Sequence, residues 1–202
     1  VLDTIRPIVV AQNRTIFLDG TGSASITATM VNNGSTDNCA ITSLVLSKTS
    51  FDCSNLGANS VTLTGTDASG NFRTVNATIT VSDTTKPTLV VNNTVNLYLN
   101  ASGTATLTTA MVNNGSSDNC GITSLLLSKT TFTGADLGNN TVTFTATDAS
   151  SNSRNTTVTV AVIDSVRPIA IAQNITAFLN TSGTVTVTAA QVNNLSLIHI
   201  SE

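Results

Sequence analysis

The 202-residue chain is 40% hydrophobic, 9% charged and 3% aromatic, with a formal net charge of −3 and a mean hydropathy of +0.23. Its Val, Ile and Leu content excludes a disordered chain, because enough apolar surface is available to offset conformational entropy. No apolar run approaches the roughly 20 residues of a membrane helix, and eight basic residues, nowhere clustered and outnumbered by eleven acidic ones, exclude a nucleic-acid footprint.

In chain order, a D-T-x-R-P head at Asp3 to Pro7 opens the first segment. Ala24, Ile26 and Ala28 alternate with Ser25 and Thr27, the period-two signature of a half-buried strand. Residues 28–33 (ATMVNN) break the alternation and predict one helical turn before Asn33-Gly34. Two more alternating runs follow, Val61 and Leu63 with Thr62 and Thr64, then Ala77, Ile79 and Val81 with Thr78 and Thr80. Between them Asp67-Ala68-Ser69-Gly70-Asn71 reads as a hairpin turn. The linker at 81–87 (VSDTTKP) holds a proline and no glycine, which predicts an extended, semi-rigid connection and a rod-like array.

The pattern then restarts. Residues 30–51 and 111–132 are identical at 18 of 22 positions, offset by 81. Asp3, Asp83 and Asp164 share that phase, as do Pro7, Pro87 and Pro168. A period of about 80 residues is too long for a solenoid repeat and suits a small domain with its own core. The expected organisation is repeat 1 at 1–82, repeat 2 at 83–163, a partial repeat 3 at 164–194, and a divergent tail at 195–202. SLIHISE in that tail resembles translated sequencing-adapter read-through and is read as an artefact. The chain is read as a fragment, its leader removed or outside it. Half a sandwich is expected to fray, or to pair strands without a closed core.

About seven short strands per repeat, packed as two sheets over one apolar layer, predict an all-β fold of tandem immunoglobulin-like β-sandwich domains, two complete and the third truncated. At this point the residues carry a resemblance. The cadence D-T-x-[KR]-P, then NNGSTDNCAI, FDCSNLG and TLTGTDASGN, resembles the HYR-like immunoglobulin-type repeats of bacterial secreted and cell-surface proteins. What the resemblance implies is an extracellular location and a role in adhesion or in stalks presenting other modules.

Cys39 and Cys53 lie 14 residues apart in one repeat, and a disulfide between them would close a loop of about 15 residues, worth roughly 3 kcal/mol. Gly134 stands where the second repeat would carry its equivalent of Cys53, so Cys120 is expected to be a free thiol. Loss of half a pair suits a structural staple in an oxidising compartment better than a metal or catalytic pair.

No catalytic residue is predicted. His199 and Glu202 are the sole His and Glu, and Ser and Thr hydroxyls without a base are inert. The best constellation is acidic: Asp37, Asn38, Asp67, Asn71 and Asp83, repeated as Asp118, Asn119, Asp148, Asn152 and Asp164. Loops at one end of a sandwich would bring together the six to eight hard oxygens that calcium takes. The competing reading is turn capping by Asp and Asn side chains, with Arg6, Lys86, Arg73 and Arg154 as ion-pair partners. No other cofactor is implied.

Glycan-stacking aromatics are scarce; Phe17, Tyr98 and Phe178 share one repeat phase and are expected to pack at a sheet edge or joint. The expected function is a non-enzymatic spacer of a bacterial extracellular or cell-surface adhesin-like protein, its partners the neighbouring repeats of the same chain. The alternative is a binding module contacting a glycan or surface protein, with calcium; neither reading involves nucleic acid or membrane insertion.

Overall fold

A computed structural model describes residues 3–196. The fold is all-β apart from single helical turns, with two immunoglobulin-like β-sandwiches in tandem. The first comprises β1 (Arg14–Phe17), β2 (Ser23–Ser25), α1 (Ala28–Val31), β3 (Ile41–Leu46), β4 (Ser50–Asp52), β5 (Gly57–Asp67) and β6 (Phe72–Ser82). The second repeats the order with β7 (Thr94–Tyr98), β8 (Thr104–Thr106), α2 (Thr109–Val112), β9 (Ile122–Leu127), β10 (Thr131–Thr133), β11 (Gly138–Asp148) and β12 (Ser153–Ile163). The helical turn expected in 28–33 is α1.

By compactness the chain forms two units. The first is Val1–Leu89 with Ser116–Leu125 and Thr145–Arg154; the second is Val90–Gly115, Leu126–Phe144 and Asn155–Glu202. These boundaries cut across the sequence repeats, because two loop regions of repeat 2, around Asp118 and Asp148, belong to the first unit.

In the first unit the strand order is β1-β6-β5-β3. β5 and β6 form the long hairpin, antiparallel from Gly57↔Val81 to Thr66↔Phe72. β1 adds to β6 in parallel, and β3 adds to β5 antiparallel with a register shift between Ile41 and Ser43. The two-stranded sheet β2-β4 pairs Ala24 with Phe51. Inward residues of both sheets make the core, with Val61, Leu63, Ile79 and Val31 fully buried. Each such side chain contributes about 1.5–3 kcal/mol by leaving water.

In the second unit β7 runs parallel to β12, with Val95↔Val160, and β8 pairs with β10, with Ala105↔Phe132. Phe132 and Phe144 are fully buried. The ammonium of Lys129 lies 4.9 Å from the Phe132 ring centre, as that of Lys48 lies 5.0 Å from Phe51.

Six strands per complete repeat are formed where about seven were expected. The missing strand is the head of the repeat, where pairing is reduced to the isolated bridges Ile8↔Thr36 and Ala11↔Asn32. Between them the Val10 amide donates to the Ser35 hydroxyl at 2.9 Å, so a side chain takes the place of a ladder carbonyl. The same device recurs where the Ile171 amide donates to the Ser196 hydroxyl, and Leu195 takes the positive φ that Gly34 has in repeat 1. The bonding pattern of the repeat thus reaches Ser196, two residues into the expected tail. Residues 197–202 lie outside the described residues. From 164 to 196, among the described residues, no strand forms; one helical turn, α3 (Ala189–Val192), and the bridge Ala172↔Asn193 are present, and Phe178 is 84% exposed.

Candidate functional site

Strand periodicity carries acidic residues into the interior. On β5 the inward positions are Val61, Leu63, Gly65 and finally Asp67; on β11 they are Val142, Phe144, Ala146 and finally Asp148. β6 turns Ala77, Ile79 and Val81 inward, and the next position in phase, just past its end, is Asp83. Asp67, Asp83 and Asp148 are accordingly only 3%, 4% and 3% exposed.

Two carboxylate groups result, both within the first unit: Asp3, Asp37 and Asp67, and Asp83, Asp118 and Asp148. In each group one carboxylate oxygen per residue lies within 4.8 Å of the others. The groups are built alike. Asp67 closes its hairpin turn by accepting the backbone amides of Ser69 and Asn71, and the Asn71 side-chain amide donates to Asp67 Oδ2 at 2.7 Å and to the Asp3 carbonyl at 3.1 Å. Asn152 does the same for Asp148 Oδ2 and the Asp83 carbonyl, at 2.8 and 3.1 Å. Asp37 and Asp118 each accept the amide of the following cysteine, Cys39 or Cys120, at 2.9 Å.

Of the ten residues expected to surround calcium, Asp37, Asp67, Asp83, Asp118 and Asp148 fall in these groups, with Asp3 as a member that sequence reasoning missed. Asn71 and Asn152 brace the carboxylates through their N–H groups. Asn38 donates to Asp3 Oδ2 at 3.3 Å. Asn119 donates to the Asp19 carbonyl and to Asp83 Oδ1, at 3.0 and 3.2 Å, which leaves its own oxygen without a partner. Asp164, in the second unit, accepts the Val166 amide and joins neither group among the described residues. None of Arg6, Lys86, Arg73 and Arg154 forms an ion pair with these carboxylates; the salt bridge found among the described residues is Lys129–Asp136.

The cysteine expectation is corrected. Cys53 is bonded to Cys120, with Cα atoms 5.4 Å apart, and Cys39 is the free, exposed thiol. The physical reason is strand length. Cys39 sits with Asp37 beside Asp67, at the end of β5, whereas Cys53 lies just before its start, and an 11-residue strand spans roughly 33 Å. A disulfide tolerates Cα separations of no more than about 7 Å. Cys120 occupies in repeat 2 the place of Cys39, and its loop packs in the first unit against Cys53 and the turn at Gly22. The bridge closes a sequence separation of 67 residues, worth about 4 kcal/mol as loop entropy.

Around Cys39, hydrogen bonding to Asp3 is the largest influence that pushes the thiol pKa above its usual value; burial and the charges of Asp3, Asp37 and Asp67 add to it. The Ile5 backbone N–H, foremost, holds Asp3 below the usual carboxylate value. A thiol shifted upward is a poor nucleophile.

Phe17 and Tyr98 lie on the edge strands β1 and β7, where an edge position was expected, but at 59% and 57% exposure they do not pack there. They follow the inward residues Ile16 and Leu97 on β1 and β7, so period two turns them to solvent.

No protein-family model and no curated protein matches the chain. Solved structures with partial likeness include a protocadherin gammaB7 EC3–6 cis-dimer (14% identity, TM-score 0.41, covering 84% of this chain and 51% of that one) and mouse clustered PcdhgC3 EC1–3 (11%, 0.39, 79% and 67%). The Ig1–2 module of the Drosophila receptor protein tyrosine phosphatase DLAR is a third (9%, 0.27, 79% and 100%). The chain spans about half the length of the gammaB7 fragments it resembles. At such scores the likeness assigns nothing, and the fold rests on the strands and their pairing. Among the described residues no helix is long and apolar enough to cross a membrane.

Proposed function

We propose that this chain is a tension-resisting spacer from an extracellular, adhesin-like bacterial surface protein built of HYR-like repeats. The observation that carries the reading is the Cys53–Cys120 bridge. It encloses the β5–β6 hairpin and ties repeat 1 covalently to the loop between α2 and β9 of repeat 2. Tension applied at the chain ends bypasses everything between the two cysteines. Near-identity of the repeated cores supports the same reading, because a spacer uses copies of one module and a binding site needs only one.

Force extension of single molecules tests it. The oxidised chain is expected to withhold 67 residues of contour, about 230 Å at the extended reach of a residue, until a reductant releases them. Equal contour lengths with and without reductant would remove the proposal's support.

A second reading rests on the exposed rings of Phe17 and Tyr98, which suit stacking on a sugar face or a partner surface. It expects glycan-array binding that Tyr98→Ala abolishes, and an array without signal rejects it.

A further inference from the structure

The geometry points to a calcium-binding centre in the first unit, formed by Asp83, Asp118 and Asp148 with the side-chain oxygen of Asn119. This inference is independent of the spacer reading. Its foundation is a set of buried acceptors that nothing in the protein satisfies: Asp83 Oδ2, Asp118 Oδ2 and Asn119 Oδ1. Asp83 is 96% buried by the same measure that makes it 4% exposed. Its other oxygen accepts the Thr85 amide and the Asn119 side-chain amide, so Oδ2 is the atom left over. Asp118 is half-buried, with Oδ1 on the Cys120 amide and a buried Oδ2 left unpartnered.

A buried, ionised carboxylate is retained only if it is paired or coordinates a cation. Here two buried carboxylates, Asp83 and Asp148, meet the half-buried Asp118, and no Lys or Arg pairs with any of them among the described residues. The missing partner is therefore a cation. Donor chemistry identifies its class: every available donor is a carboxylate or amide oxygen, which selects a hard ion over zinc or copper. The three carboxylates offer oxygens within 4.8 Å of one another, close enough to share one ion at bonds of about 2.4 Å, the calcium range; magnesium demands strictly octahedral bonds and keeps most of its water.

The companion group is less complete. Asp37 Oδ1 is its one unpartnered oxygen; Asp3 is half-buried where Asp83 is buried, and the Asn38 amide donates to Asp3 Oδ2 there. Asn38 is exposed, whereas Asn119 is held down by its bond to the Asp19 carbonyl and followed by the bonded Cys120.

The test is a calorimetric titration of the full, oxidised chain with calcium chloride, with thermal unfolding followed in calcium and in chelator. Saturable binding is expected with Kd of about 10⁻⁴–10⁻³ M or tighter, the range of extracellular modules, together with a raised Tm. Asp118→Asn keeps an acceptor for the Cys120 amide and so keeps the loop, yet is expected to weaken binding tenfold or more. Asp83→Asn, which likewise keeps an acceptor for Thr85, is the second variant should the first fail to fold. Asp37→Asn is expected to leave the dominant transition unchanged. Absence of heat and of a Tm shift at 10 mM calcium would overturn the proposal. So would Asp118→Asn and Asp83→Asn chains that titrate like the parent, or loss of binding confined to Asp37→Asn.

Discussion

Two positions show how the repeats comment on one another residue by residue. Gly70 and Ser151 occupy the same turn position at φ 86° and 68°, and Ala40 and Gly121 share another at φ 80° and 87°. A side chain in left-handed backbone costs about 1–2 kcal/mol, and glycine returns part of that through its looser unfolded chain, about 0.5–1. Ser151→Gly and Ala40→Gly are therefore each expected to stabilise the protein by about 0.5–1 kcal/mol, read as a higher denaturant midpoint at unchanged slope. Gly65 behaves oppositely. A Cβ there would lie 2.7 Å from a Val9 methyl, so Gly65→Ala is expected to cost about 1–3 kcal/mol by overpacking, although repeat 2 carries Ala146 at this position. The buried acids were legible in the same period-two count that located the strands, since Asp67 and Asp148 continue the inward sets of Val61 and Val142. Turn chemistry, which also favours Asp, concealed that signal. Asp3 was signalled only by its shared repeat phase with Asp83 and Asp164, and its place in a cluster depends on loops 34 and 64 residues away in sequence.

Among elements, the long hairpins were readable from Thr alternation; the three-residue strands β4 and β10 are too short to show a period, and the alternation read at 24–28 outran β2, which ends at Ser25 before α1 begins at Ala28. The cysteine pairing was misread because sequence distance took the place of strand geometry: 14 residues looked close, but the two cysteines lie at opposite ends of the 11-residue β5. The loop from Asp118 to Cys120 is anchored from both sides, by the bridge and by the Asn119 bond to Asp19. Cys53→Ser combined with Cys120→Ser is thus expected to weaken calcium binding by at least several-fold in the same titration, with the far-UV spectrum preserved. In the second sandwich, Phe144 is a fully buried aromatic on β11. Phe144→Ala is expected to cost about 3–5 kcal/mol, measured by chemical denaturation.

For the whole molecule, repeat boundaries and folding boundaries are different quantities. Self-similarity marks where the sequence starts over, whereas the first unit takes in Ser116–Leu125 and Thr145–Arg154 from the following repeat. A chain ending at Ser82 would keep every strand of the first sandwich and lose the partner of Cys53 and the Asn119 bond to Asp19. It is expected to melt at a lower temperature than the first transition of the intact protein, by differential scanning calorimetry. No property of one repeat alone announces this dependence, because the atoms responsible belong to the next.

The register of the disulfide has an arithmetic of its own. A bond within one repeat would pair the two cysteines of a copy with each other; a bond from one copy to the next is head-to-tail, a heterologous linkage that never closes on itself. Such a series carries an unmatched half wherever it is interrupted. Cys39 is an unmatched half here, and the odd total of three cysteines comes from Gly134, which stands where repeat 2 would carry its counterpart of Cys53.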